Sequence, residues 1–181
     1  MAYAVVRTDL LHGSDTRGEL VSLRYIVATT EDEQTVETET AIENGNVLLI
    51  GNLLDGEREI RKGSAVAANS ELRDVALVVS PEVMYDERKR DLDEFINEAG
   101  KNIRGYRLHS GDIFSVTKEA LDGVASPAVG NIVELKAGTK LNVAASATSG
   151  STQVGKIIAI DVVGKYTYYV IEVGKVTGVT A

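Results

Sequence analysis

Four short stretches hold the residues whose types and spacing could do chemistry. Gly150-Ser151-Thr152-Gln153-Val154-Gly155-Lys156 has the glycine and lysine spacing of a phosphate-binding loop, and Ile157–Asp161 looks like the acidic strand that accompanies one. Such a loop needs a hydroxyl after the lysine to hold magnesium, and a helix whose first amides cradle phosphate. Ile157 stands at the hydroxyl position and β-branched, apolar residues follow, so the expected structure is a loop running into a strand. His12 lies close to Ser14 and Asp15. A hydrolytic triad also needs an oriented base and an oxyanion hole, which sequence neighbours in a turn do not supply. His109 and Asp112 flank Ser110-Gly111, where the aspartate is expected to close a turn by accepting from nearby amides. Asp86, Glu87, Asp91, Asp93 and Glu94 form an acidic run without the spacing of a calcium loop, and Lys89 and Arg90 interrupt it. No catalytic residue, cofactor site or metal site is therefore assigned, and the chain is not expected to be an enzyme.

Composition narrows the class further. The chain has 181 residues, 44% of them hydrophobic, which suffices for a core and argues against disorder. With seven Tyr, two Phe and no Trp, aliphatic side chains must fill that core. Seventeen Gly against two Pro suit tight turns between short strands. The absence of Cys excludes disulfides, cysteine–zinc sites and thiol chemistry. Residues 1–123 carry 14 Lys+Arg and 24 Asp+Glu, a net −10; residues 124–181 carry 5 and 3, a net +2, which together give the −8 of the whole chain. The acidic part argues against nucleic acid, whose phosphates require basic patches. The asymmetry points to two units, 1–123 and 124–181. The N-terminus lacks a basic region followed by a long apolar run, so no signal peptide is expected. No apolar stretch approaches the roughly 20 residues of a membrane helix. A soluble protein made in a cytoplasm, with no membrane partner, is the expectation.

The pattern along the chain is one of strands. Val21–Ala28 suits a pleated surface. Gln34–Glu43 alternates Val36, Thr38, Thr40 and Ile42 with Glu37, Glu39, Ala41 and Glu43, and Asn44-Gly45 then predicts a hairpin into Asn46–Leu54. Asp55-Gly56 turns the chain again. Asp74–Val79 reads as a short buried strand. A helix is expected over about 86–99, capped by Asp86 and ended by Gly100, with Leu92, Phe95, Ile96 and Ala99 on one face and Phe95 as its anchor. Arg104–His109 and Asp112–Thr117 read as strands, and Lys118–Gly123 as a helical turn. Everything after residue 123 reads as strands, with Gly164-Lys165 turning the longest and most apolar hairpin. Tyr166, Tyr168 and Tyr169 fall on both faces of its second strand, and at least one is expected to be exposed, where Tyr favours protein contacts. The predicted fold is mainly β with one short helix (α+β): a β-meander/helix N-terminal unit, then a small β-barrel or sandwich.

Two stretches carry a family likeness. They are ENGNVLLIGNLLDGEREI (Glu43–Ile60) and VMYDERKRDLDEFINEAGKNIRGYRLHSGDIFSVT (Val83–Thr117). Their layout resembles head accessory proteins of tailed bacteriophages, encoded near the major capsid protein. The likeness covers most of the chain, is strongest from Ile42 to Thr117, and is one of pattern rather than of a catalytic motif. It implies a decoration or cement protein that binds the major capsid protein on the outside of the virion, made in the bacterial host cytoplasm. It implies no active-site residue and no cofactor, and leaves self-association open between trimer and monomer. Alternatives are another virion part, such as a head fibre base or tail component, or a carbohydrate-binding β module, though the latter usually displays an aromatic platform and no Trp is present. Ala4, Val5, Val6, Leu10 and Leu11, flanked by turn formers, suggest that residues 1–20 form an arm adding a strand to a capsid sheet edge.

Overall fold

The computed structural model describes residues 3–7, 20–31, 34–86, 88 and 91–174. They form two six-stranded sheets. The first has the order β2-β1-β4-β3-β5-β6, and β6 also pairs with β1, closing five strands into a barrel with β2 outside the ring. Its strands are β1 (Leu20–Glu31), β2 (Gln34–Glu39), β3 (Val47–Leu53), β4 (Ile60–Ser64), β5 (Val75–Val78) and β6 (Ile103–Arg107). The second sheet, an open half-barrel, has the order β7-β12-β11-β9-β10-β8. It comprises β7 (Ile113–Val116), β8 (Leu121–Gly123), β9 (Ile132–Glu134), β10 (Leu141–Ala144), β11 (Gln153–Val163) and β12 (Tyr166–Val173). Membership changes between Arg107 and Ile113, ahead of the charge step at residue 123.

Side-chain pattern explains the layering. β5 reads Val-Ala-Leu-Val with every residue buried, because both of its faces are covered. Ala76 and Val78 fill the barrel with Leu23, Leu48 and Ile103. Val75 and Leu77 point the other way, into a larger core shared with Phe114, Val116, Leu135, Leu141, Ile157 and Ile171 of the half-barrel. β10 faces that core on one side only, so buried and half-buried residues alternate along it. Barrel closure needs Gly105, since a Cβ there would lie 2.7 Å from Leu23 Cδ1 and 2.9 Å from the Ala76 Cβ. Gly45, at φ +83°, turns where the two sheets meet, and a side chain there would press on Val6, Val116 and Ala120.

Several expectations change on contact with tertiary structure. Among the described residues of 86–99 there is no α-helix; Leu92–Glu94 makes a single 3-10 turn. Asn97 explains why: its backbone N–H and C=O pair with Ile42 at 3.0 and 2.9 Å, and its side chain donates to the Ile42 carbonyl and to Asn44 Oδ1. That extended pairing competes with the helical bonds and wins. Phe95 is still buried, as an anchor of loop rather than helix. Asn44-Gly45 is a turn but not a β2–β3 hairpin; β2 pairs with β1, and β3 with β4 and β5. The Asp55-Gly56 hairpin joins β3 and β4 as expected. The Gly150–Lys156 stretch is a loop that runs directly into β11, with no helix.

Candidate functional site

The proposed N-terminal arm meets the chain's own core. Val6 bridges Val116, the Arg7 N–H donates to the Ser115 carbonyl at 2.9 Å, and the Thr117 N–H donates to the Val5 carbonyl at 2.9 Å. Residues 5–7 thus lengthen the half-barrel sheet beside β7. Ala4, Val5 and Val6 are 1–2% exposed, and Ala4 and Val6 pack in one core with Phe114 and Val116, so the described part of the expected arm lies against the chain's own sheet. Leu10, Leu11 and His12 lie outside the described residues.

The polar groups singled out by sequence have local partners. The Asp112 carboxylate accepts from the His109 N–H at 2.8 Å, closing the turn as expected. Asp86 pairs with Arg88. Asp91 and Asp93 both receive Lys165, from the turn between β11 and β12, at 2.7 and 3.0 Å. Among the described residues no group of three or more His, Cys, Asp or Glu is placed to hold a metal ion. None of their helices is long and apolar enough to cross a membrane. Glu134, which the sequence reading did not single out, is 1% exposed and accepts from Asn142 Nδ2, the Thr148 N–H and Thr148 Oγ1 at 2.6–3.0 Å. It staples the 145–152 loop to the sheet through Thr148, and Asn142 of β10 supplies its third donor.

What the fold does present is two hairpins that outrun their sheets. β9 pairs with β11 only as far as Lys156, with two further bonds at Ile157. From Ile158 to Val163, β11 has β12 on one side and no described strand on the other. A bulge falls between Ile157 and Ala159, which makes Ile158 the extra residue and shifts the faces. Beyond it Ile160 pairs with Tyr169 and Val162 with Thr167, so both aliphatic side chains project on one face. Val162 is 73% exposed, and Ile158, Ile160 and Val163 are 39–47% exposed. The opposite face is anchored: Tyr168 is buried under the Arg7 guanidinium, 5.4 Å from its ring centre. Tyr166 is half-buried and donates to Asp93 Oδ1 at 3.0 Å. None of the three tyrosines is fully exposed; the exposed one is Tyr85, at the lip of a groove between β1, β6 and the 80–104 segment.

The clasp at the tip is electrostatic. The hydrogen bond from Lys165, aided by that from Tyr166, holds the Asp93 carboxyl below its ordinary range. Asp91 and Asp93 hold the Lys165 ammonium above its own. Burial, then the Asp93 carboxylate, raises the Tyr166 phenol. Comparison with family models, characterised proteins and solved structures finds no match. Function must therefore be argued from these edges.

The second hairpin is β1–β2. β1 leaves the barrel after Tyr25, where its pairing with β4 ends, and continues against β2 alone. Every residue of β2 is exposed. Glu37 and Glu39 share a face and are met at the root by Lys62 at 2.6 Å and Arg24 at 3.0 Å. Free strand edges of this kind present unpaired backbone groups to any extended chain that fits.

Proposed function

We propose that this chain is a structural protein of a tailed-phage head, which decorates the outside of the capsid and stabilises it by binding the major capsid protein. The pattern of Ile42–Thr117 supports the class. The observation that carries the docking role is the unpaired edge of β11 from Ile158 to Val163 with its exposed aliphatic side chains. Isolated exposed apolar residues are ordinary; Ile160 and Val162 on one face of an open strand edge, with Ile158 and Val163 beside them in sequence, mark a surface that gains by being covered. In this reading no cofactor takes part, and the chain works by binding alone. A head shell is under outward load from packed DNA, and a protein that bridges neighbouring capsomers adds binding free energy at the seams. A standard interface buries about 1,600 Å², and repetition over the shell multiplies a modest contact.

The test is sedimentation of the purified chain with expanded empty shells of its cognate major capsid protein. Saturable binding at a fixed ratio per capsomer, with a rise in the disruption temperature of the shell, is expected. Shells that neither retain the chain nor gain stability would refute the proposal. A glycan-binding reading rests on Tyr85, 95% exposed beside a groove that also holds Asn97, Glu98, Lys101 and Arg104. Glycan binding abolished by Tyr85→Ala would favour it over the capsid role.

A further inference from the structure

The outer edge of β2 is built for a different occupant from that of β11. The Thr40 N–H donates to the Tyr25 carbonyl at 3.0 Å, which makes that pair a hydrogen-bonded one. Antiparallel pairs alternate, so along the register Ile26↔Glu39 to Glu31↔Gln34 the residues Thr38, Val36 and Gln34 bond to β1. The N–H and C=O groups of Thr35, Glu37 and Glu39 then point away from β1, into solvent. This edge has no partner strand among the described residues. The hairpin over residues 26–39 carries five carboxylates (Glu31, Asp32, Glu33, Glu37 and Glu39) and no cation of its own. Lys62 pairs with Glu37 and Arg24 with Glu39; by sequence, the hairpin and these two cations together carry a net −3. We propose that the outer edge of β2 receives an extended segment of a partner protein that carries lysine or arginine at alternate positions.

Charge chooses this occupant over the others. A side chain on an added strand sits directly opposite Glu37 or Glu39, and the residue two further along lies on the same face. Opposite charge is favoured there and like charge is not. A second copy of this chain pairing β2 with β2 would set the carboxylates of both copies along one face. An apolar strand would leave those carboxylates partly desolvated without a counter-charge. The backbone groups of Thr35, Glu37 and Glu39 supply the affinity and the glutamates supply the selection. The inference is independent of the capsid reading, since it needs only the β2 edge.

The probe is a synthetic ten-residue peptide alternating Lys and Thr, titrated into the full-length chain. Saturable binding is expected, together with slower hydrogen exchange at the amides of Thr35, Glu37 and Glu39. Thr35→Pro removes one outward N–H and none that bonds to β1, which an edge strand tolerates. It should weaken binding at least fivefold while the melting temperature holds. A peptide of the same composition with its lysines in one block should also bind more weakly, and a Glu/Thr peptide should not bind. Equal binding of the blocked peptide, or of the alternating peptide to Thr35→Pro, would reduce the effect to diffuse attraction and overturn the proposal. So would a β2-mediated dimer in sedimentation, or no binding at all. If Thr35→Pro unfolds, the exchange pattern of the unmodified chain decides alone.

Discussion

β1–β2 leaves the barrel after Tyr25 and β11–β12 leaves the half-barrel beyond Ile157, and each runs on as a two-stranded ribbon whose outer edges have no strand partner among the described residues. Their backbones offer a partner the same thing. Their side chains do not: the first places five carboxylates in fourteen residues, the second exposes Ile158, Ile160, Val162 and Val163. An open edge is a liability unless charge guards it. The acidic ribbon is guarded against all but a basic strand. The aliphatic ribbon carries a single exposed carboxylate along that edge, Asp161, and covering its apolar side chains yields hydrophobic free energy. On the proposed roles, selection and adhesion fall on two different edges of one molecule. The two ribbons spring from sheets that share one core, so a force on either is felt by the same body.

The harshest test of that shared body is Phe114→Ala, which empties a fully buried site between barrel and half-barrel. It should cost about 3–5 kcal/mol, and both sheets should melt in one transition. Two separate transitions in calorimetry would divide the molecule and the comparison with it. Next in size, Ile160→Asp with Val162→Asp should weaken shell binding by roughly 30-fold or more, the level of a hot spot near 2 kcal/mol. Stability should change by no more than about 0.5 kcal/mol per exposed site. Glu37→Gln on the other ribbon should leave shell affinity within a factor of about two if the aliphatic edge alone carries adhesion. Glu134→Ala should cost about 1–3 kcal/mol by leaving Asn142 and Thr148 without their acceptor, and Glu134→Gln less.

The smallest effect is expected at the clasp. Asp93 has a lowered pKa, so its contribution is present above the ordinary carboxylate range and lost as pH falls through the lowered value. Lys165 has a raised pKa, so its contribution is present below the ordinary lysine range and lost only as pH rises through the raised value. The clasp should hold between about pH 5 and about pH 9. Within that window Lys165→Met should speed amide exchange at Val162–Thr167 without shifting the melting temperature, and acid should produce the same local loosening in the unmodified chain. Exchange at the tip that ignores both changes would remove the clasp from the account.

Most strands were legible because alternation and turn residues speak locally. The hairpins at Asp55-Gly56 and Gly164-Lys165, the all-apolar β5 and the turn closed by Asp112 follow from residues within a few positions of one another. The helix expected over 86–99 had good helical spacing, but Asn97 finds Ile42 across 55 residues, and that pairing is invisible to periodicity. Ala4, Val5 and Val6 look the same in sequence whether they seek a neighbour or their own core, and only Val116 and Phe114 decide it. The exposed β11 edge had a readable component, its apolar run. Its exposure depends on β9 ending three-dimensionally short, which no spacing records. The Lys165 clasp joins residues 72 and 74 positions apart and was likewise out of reach.

Adhesion through the aliphatic ribbon is most directly tested by an electron cryomicroscopy map of shells saturated with this chain. The account predicts that Ile158–Val163 lies against the capsid protein, with shell backbone density alongside β11 and Ile160 and Val162 covered. A saturated shell in which that edge still faces solvent, while another surface of the chain makes the contact, would contradict it.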